Sequence, residues 1–203
     1  MTHLHYNACK VNSLPLDSRK CESPSRFRIV CDSFVRWYKL IRRRVRPDGA
    51  GVERSSGVPL SREEIALVVL SLANGEQFTP VQIQKALFLA SDKVASAFKR
   101  HSTYDFQPYD YGPFDWQVYS DIEGLAKDEM AQINQQPGGR WRTYSATEAG
   151  IAFGQHLAER LTGQQRDILE RIVKLVRRLS FNELVSAIYK AYPSMRARSV
   201  FRD

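Results

Sequence analysis

Apolar residues recur at intervals of three and four from residue 61 onward, which predicts six amphipathic helices. Stripes on all six helices indicate one continuous core. The six stripes are Ile65, Val68, Val69 and Leu72; Ile83, Leu87, Ala90, Val94 and Phe98; Phe114, Val118, Ile122 and Leu125; Ile151, Leu157 and Leu161; Ile168, Ile172, Leu175, Val176 and Leu179; and Leu184, Val185, Ile188 and Tyr189.

Polar residues at the starts of these stripes predict where the helices begin. Ser61 and Glu64 have the spacing of a capping box, in which each side chain bonds the other residue's backbone N–H. Thr79 is expected to cap the second helix, with Pro80 at its first position. A second capping box is expected over residues 180–183.

The segment between the second and fourth helices departs from this simple pattern. Residues 101–112 are expected to be loop or short strand, and Pro113 is expected to open the third helix. Two strands are predicted at residues 130–134 and 141–145, joined by a Gly-rich turn and followed by a helix capped by Thr147. Gly112 is expected where the backbone needs positive φ or close packing.

The order helix, helix, helix, two-stranded wing, helix predicts a mainly α, winged-helix-like domain over residues 61–162. Two extra C-terminal helices then form an extension over residues 163–203.

The net charge of +8 is unevenly distributed along the chain. Residues 1–60 have a net charge of +7, residues 61–162 of −4 and residues 163–203 of +5. The central body is therefore acidic, so the overall charge is no argument for nucleic-acid binding.

Residues 1–60 lack a sustained period, and a solvated, disordered basic tail is the favoured interpretation. Two alternatives remain open: a basic amphipathic helix over residues 34–46 that contacts anionic lipid or phosphates, and a start codon assigned too early, so that residues 1–51 are not translated.

The cysteines give a weak indication of compartment. Cys9, Cys21 and Cys31 are the only cysteines, so no disulfide can hold the body together, as a reducing cytoplasm permits. Their spacing lacks the close pairs of a structural zinc site, so neither a metal nor a cofactor is expected. No run of apolar residues predicts a membrane span, and a cytoplasmic protein is expected.

Two motifs in the central body resemble those of a known family. Residues 83–90, Ile-Gln-Lys-Ala-Leu-Phe-Leu-Ala, and residues 109–114, Tyr-Asp-Tyr-Gly-Pro-Phe, are similar to a pattern found in phage-associated antitoxins of the SocA/Panacea type. Residues 144–150 resemble the end of the wing in many winged-helix regulators. The resemblance implies a protein that binds and neutralises a partner, or serves as an adaptor; the partner would be a toxin or a protease or chaperone system.

The aromatic turn and the third helix are the candidate partner-binding site, because aromatic residues carry much of the energy of protein interfaces. The third helix, expected over residues 113–129, has a net charge of −4, which disfavours contact with DNA. The candidate partner-binding residues are Tyr109, Tyr111, Gly112, Pro113, Asp115 and Trp116.

The alternative function is a winged-helix transcriptional regulator that binds DNA through the wing and the basic termini. Its candidate contacts are Arg140, Arg142, Arg177 and Arg178. Catalysis is not expected, because Asp105, Asp110 and Asp115 lack a nearby His, Lys or phosphate loop that would complete an active site.

Overall fold

The structure is a computed structural model that describes residues 59–135 and 141–202. The predictions made for residues 1–58 and for Arg140 lie outside these ranges. The α-helices are α1 (Arg62–Ser71), α2 (Pro80–Lys93), α3 (Gln117–Lys127), α4 (Glu148–Ala158), α5 (Gly163–Arg178) and α6 (Phe181–Ala191). The strands are β1 (Gln107–Tyr109), β2 (Gly112–Phe114), β3 (Ala131–Gln135) and β4 (Arg142–Ala146), and short 3-10 helices lie at Ala95–Ala97 and Pro193–Arg196.

The helix starts predicted at Ser61, Thr79, Thr147 and Ser180 are confirmed. Capping boxes open α1, α2, α5 and α6, and Thr147 accepts a hydrogen bond from the Gly150 backbone N–H at the start of α4. The four boxes are Ser61 with Glu64, Thr79 with Gln82, Thr162 with Gln165, and Ser180 with Glu183. Each satisfies backbone N–H groups that the first turn of a helix leaves without partners.

The prediction that Pro113 opens the third helix is wrong. Pro113 lies in β2, which pairs antiparallel with β1 so that Pro108 faces Pro113 and Gln107 faces Phe114. Helix α3 begins only at Gln117. A proline is tolerated in a two-stranded hairpin because its missing N–H can lie on the unpaired side.

The second two-stranded sheet contains the two strands predicted at residues 130–134 and 141–145, each shifted by one residue. Strands β3 and β4 are antiparallel, with Ala131 opposite Ala146 and Gln135 opposite Arg142. An isolated antiparallel bridge joins Phe78, just before α2, to Tyr144 in β4. The bridge ties the chain between α1 and α2 to the second sheet.

A single apolar core runs through the described residues, as the six stripes predicted. Helix α1 lies at its centre, and every residue from Ile65 to Ser71 is buried. Helix α4 approaches α1 closely: a Cβ on Gly154 would lie 2.5 Å from the Cβ of Ser71. Among the described helices, none is long and apolar enough to cross a membrane.

Candidate protein-interaction site

The β1–β2 hairpin is fixed to helix α2 by the side chains of Gln84 and Lys85. The Gln84 amide donates to the Asp115 carbonyl oxygen over 2.9 Å, and the Asp115 N–H donates to the Gln84 Oε1 over 3.1 Å. The Lys85 Nζ donates to the Pro113 carbonyl oxygen over 3.1 Å. Both side chains are buried, so the backbone that follows the aromatic turn is held by hydrogen bonds shielded from water.

Lys85 is an unusual residue to find in such a place. Its side chain lies in the core at 3% exposure, and burial lowers the pKa of its ammonium from the usual 10.5 to about 7. Loss of hydration disfavours the charged form, and the Pro113 carbonyl is a neutral acceptor. The surroundings therefore stabilise the charged form of Lys85 poorly, while its hydrogen bond to the Pro113 carbonyl holds the hairpin against α2.

Gly112 has the positive φ expected for it, +97°. A Cβ at this position would lie 3.4 Å from Tyr189 of α6 and 3.6 Å from the Lys85 Cε. These are ordinary van der Waals distances, so the positive φ of the hairpin turn is what favours glycine here.

Asp115 is buried, and its carboxylate accepts hydrogen bonds from backbone groups. Its Oδ2 accepts from the Asp105 N–H over 2.7 Å, and its Oδ1 from the Gln117 N–H over 2.9 Å. Asp115 therefore joins the first residue of α3 to Asp105, just before β1. The structure thus places Asp115 inside the molecule, and it buries Gly112 and Pro113 as well.

Two aromatic residues of the candidate site remain strongly exposed. The side chain of Tyr109 is 50% exposed and that of Trp116 is 66% exposed. The Tyr109 ring packs against the Phe114 ring, with centroids 5.0 Å apart. The Phe114 ring in turn packs against the Tyr119 ring, with centroids 5.8 Å apart. The exposed ring of Tyr109 therefore rests on packed aromatic residues.

Tyr111 lies on another side of the hairpin and is only half-buried. Its ring meets the edge of Phe181, at the start of α6, with centroids 5.1 Å apart. Tyr111 therefore contributes both to packing and to the surface.

Two of the acidic residues counted for the third helix, Asp121 and Glu123, form ion pairs within the molecule. Asp121 is buried, where it pairs with the Arg62 Nε over 2.8 Å and accepts from the Gln117 amide. Burial and the neighbouring Asp121 carboxylate raise the pKa of the Tyr104 hydroxyl. On the surface, Glu123 pairs with Arg142 of β4 over 3.3 Å. The net charge of −4 counted from the sequence is therefore not the charge of the exposed face.

The candidate nucleic-acid contacts differ in exposure and in their ion-pair partners. Arg177 is only partly exposed, pairs with Glu76 and lies 5.5 Å from the ring centroid of Phe78, so it supports the packing of α5. Arg178 is exposed on the last turn of α5, and Arg142 is exposed on β4 beside Glu123.

Sequence reasoning missed the roles of Gln84 and Lys85. The signal was available, since two polar residues interrupt a stretch of α2 in which every residue from Ile83 to Ala90 is buried. Polar residues in such a stretch require internal partners.

Comparison with known proteins does not assign the chain to a family. No family model matches the sequence, and no curated protein is matched by it. The resemblance to SocA/Panacea antitoxins therefore rests on the short motifs of α2 and the hairpin.

Proposed function

We propose that this protein is a non-catalytic protein-interaction module, antitoxin- or adaptor-like, whose partner contacts the exposed rings of Tyr109 and Trp116. The observation that carries the proposal is the exposure of both rings, 50% and 66%, on backbone fixed by the buried side chains of Gln84 and Lys85. A large aromatic side chain on a rigid support loses little conformational entropy on binding, which favours its use as an interface anchor.

The motif resemblance supports the same class of function. The Gln-Lys pair of α2 and the Tyr-Gly-Pro of the hairpin, which carry the resemblance, are in direct contact through the bond from Lys85 to Pro113. The residues that carry the resemblance thus hold the backbone next to the proposed contact residues. A toxin or a component of a protease or chaperone system is the class of partner that the resemblance implies.

The test uses affinity capture from the native host, quantified by mass spectrometry. The tagged wild-type chain is compared with Trp116→Ala, Tyr109→Ala and, as a matched control, Phe153→Ala, which removes an exposed aromatic side chain on α4. The proposal expects one protein to be retained by the wild type and by the control and lost from the first two variants.

The purified partner then gives the affinity. Each of the substitutions Trp116→Ala and Tyr109→Ala should weaken binding by about 2 kcal/mol, roughly thirtyfold in Kd. Equal affinity of all four proteins for that partner would contradict the proposed surface.

A winged-helix transcriptional regulator is the second candidate function. The order of α1, the Phe78 bridge, α2, α3 and the β3–β4 hairpin supports it, because a winged helix uses these parts in this order. The internal pairing of Asp121 and the pairing of Glu123 with Arg142 also weaken the charge argument against DNA.

An electrophoretic shift assay on DNA upstream of the protein's own coding sequence tests this candidate. Sequence-specific retention at about 150 mM salt that is lost in Arg142→Gln would favour a regulator and overturn our first choice. Retention that ignores sequence and fades steeply with salt would report only the basic ends of the chain.

A further inference from the structure

The side of α3 that carries Trp116 is open to solvent. The Trp116 side chain is 66% exposed, and Ser120 and Glu123, one and two turns further along the helix, are exposed as well. Residues four and seven positions apart lie on the same side of a helix, so these three side chains form one face. The backbone beneath the ring is fixed, because the Trp116 carbonyl oxygen accepts from the Tyr119 N–H over 3.1 Å. We call Trp116, Ser120 and Glu123 the Trp116 face.

The stretch of chain that contains this face is acidic. Residues 105–129 include seven acidic residues and a single basic one, Lys127. Asp115 and Asp121 are buried and bonded internally, whereas the other five carboxylates remain at least partly exposed. These five belong to Asp105, Asp110, Glu123, Asp128 and Glu129.

Two of the exposed carboxylates lie next to Trp116 in the fold. Glu123 belongs to the Trp116 face itself. Asp105 adjoins the residue that precedes Trp116, since its N–H donates to the Asp115 Oδ2 over 2.7 Å. Glu123 pairs over 3.3 Å with Arg142, whose side chain is 54% exposed, and exposed pairs of this kind contribute little free energy. A cation from outside can therefore replace Arg142 at little cost.

The combination of an exposed indole and nearby carboxylates fits an arginine side chain. A planar guanidinium stacks on the face of an indole and donates from its edge to a carboxylate, which the compact ammonium of a lysine does less well. An apolar segment would cover the carboxylates without pairing them, which costs free energy, and an acidic segment would be repelled. Charge and ring together favour arginine over the other side chains.

We infer that the Trp116 face binds an arginine-containing segment of the partner protein, with a guanidinium stacked on Trp116 and paired with Asp105 or Glu123. The inference rests on the proposed function, because it names the chemistry of the partner that contacts Trp116. It adds that the charge of the partner, as well as its contact with the ring, decides which protein binds.

The test measures binding of a labelled peptide to the full-length chain by fluorescence anisotropy. The peptide carries three arginines separated by glycine and serine, and the salt concentration is about 150 mM, at which exposed charges are screened beyond about 8 Å. Every protein in the series carries Arg42→Gln, Arg43→Gln and Arg44→Gln, so that this run of arginines cannot compete with the peptide. The chain with only these three changes is the reference protein.

Two variants remove the two halves of the proposed contact. Trp116→Leu keeps an apolar side chain and removes the aromatic ring, and the pair Asp105→Asn with Glu123→Gln removes the charge. Each should weaken binding of the peptide at least about fivefold relative to the reference protein. A peptide with lysine in place of arginine should bind the reference protein at least about threefold more weakly than the arginine peptide.

The matched controls lie on α4. The pair Glu148→Gln with Glu159→Gln removes the same amount of exposed negative charge, and Phe153→Ala removes an exposed aromatic ring. Both controls should bind the arginine peptide as the reference protein does, because the inference requires the ring and the carboxylates to lie together.

Equal binding of the arginine peptide to the reference protein and to Trp116→Leu would overturn the inference. Absence of binding to the reference protein, or equal affinity of the reference protein for the lysine peptide, would overturn it as well. A captured partner that is lost from Trp116→Ala but is bound equally by the Asp105→Asn, Glu123→Gln variant would support the proposed function and refute this inference. Peptide binding as expected, with no captured protein that depends on Trp116 or Tyr109, would uphold the arginine contact and refute the proposed function.

Discussion

Replacement of Lys85 by Met should remove much of the pH dependence of this protein's stability. Methionine has a similar length and no charge, so the core remains filled while the titrating group is lost. The hydrogen bond to the Pro113 carbonyl is lost as well, and this adds an offset that is independent of pH in the range considered.

The sign of the effect follows from the two states of the amine. In the unfolded chain its pKa is the usual 10.5, and in the folded protein burial lowers the pKa to about 7. Between pH 7 and 10.5 the unfolded chain binds a proton that the folded protein has released. The free energy of unfolding therefore rises with pH across this window, and the full cost of burying the cation is present below it.

The magnitude is large enough to measure. From pH 7 to pH 9 the titration of Lys85 should raise the free energy of unfolding by about 2 kcal/mol, since each pH unit contributes at most about 1.4 kcal/mol and the amine is half-deprotonated at the start. Urea denaturation at several pH values gives this slope.

The matched control is Lys174→Met, which removes an exposed lysine on α5. It should keep the wild-type dependence on pH, whereas Lys85→Met should be flatter by about 2 kcal/mol over the same interval. If the wild type and Lys85→Met give parallel curves, burial does not penalise the Lys85 cation, and the reasoning is refuted.

Three further predictions concern the hairpin and its support. Gly112→Ala should lower the free energy of unfolding by about 1–2 kcal/mol, because φ is +97°. Its control is Gly124→Ala on α3, where no atom lies within 4 Å of the added Cβ. This variant should raise the free energy of unfolding by about 0.5–1 kcal/mol. Urea denaturation in which both variants change the free energy of unfolding in the same direction would contradict this. Gln84→Ala should cost about 2–3 kcal/mol through loss of two buried hydrogen bonds to the Asp115 backbone, seen as a lower Tm; an unchanged Tm would show that the backbone finds other partners. Trp116→Ala should change stability by less than about 0.5 kcal/mol in thermal denaturation, and a larger loss would show that the ring packs on the body.

The features that the sequence predicted correctly depend on residues close together in the chain. A capping box joins residues three apart, so Ser61 with Glu64 and Ser180 with Glu183 could be recognised from spacing alone. The same holds for the positive φ of Gly112, since a Tyr-Gly-Pro turn has few alternatives at the glycine.

Only the tertiary structure decided the features that join distant residues. Pro113 lies in the strand that pairs with β1, and its carbonyl accepts from Lys85, 28 positions earlier. Gln84 binds Asp115 across 31 positions. The spacing of charges also misled: it could not show that Asp121 pairs with Arg62, 59 positions away. The docking of Val200 on Asp110 likewise has no local signal. Local spacing determines where a helix begins, whereas the partner of a buried polar group depends on which distant segments the core brings together.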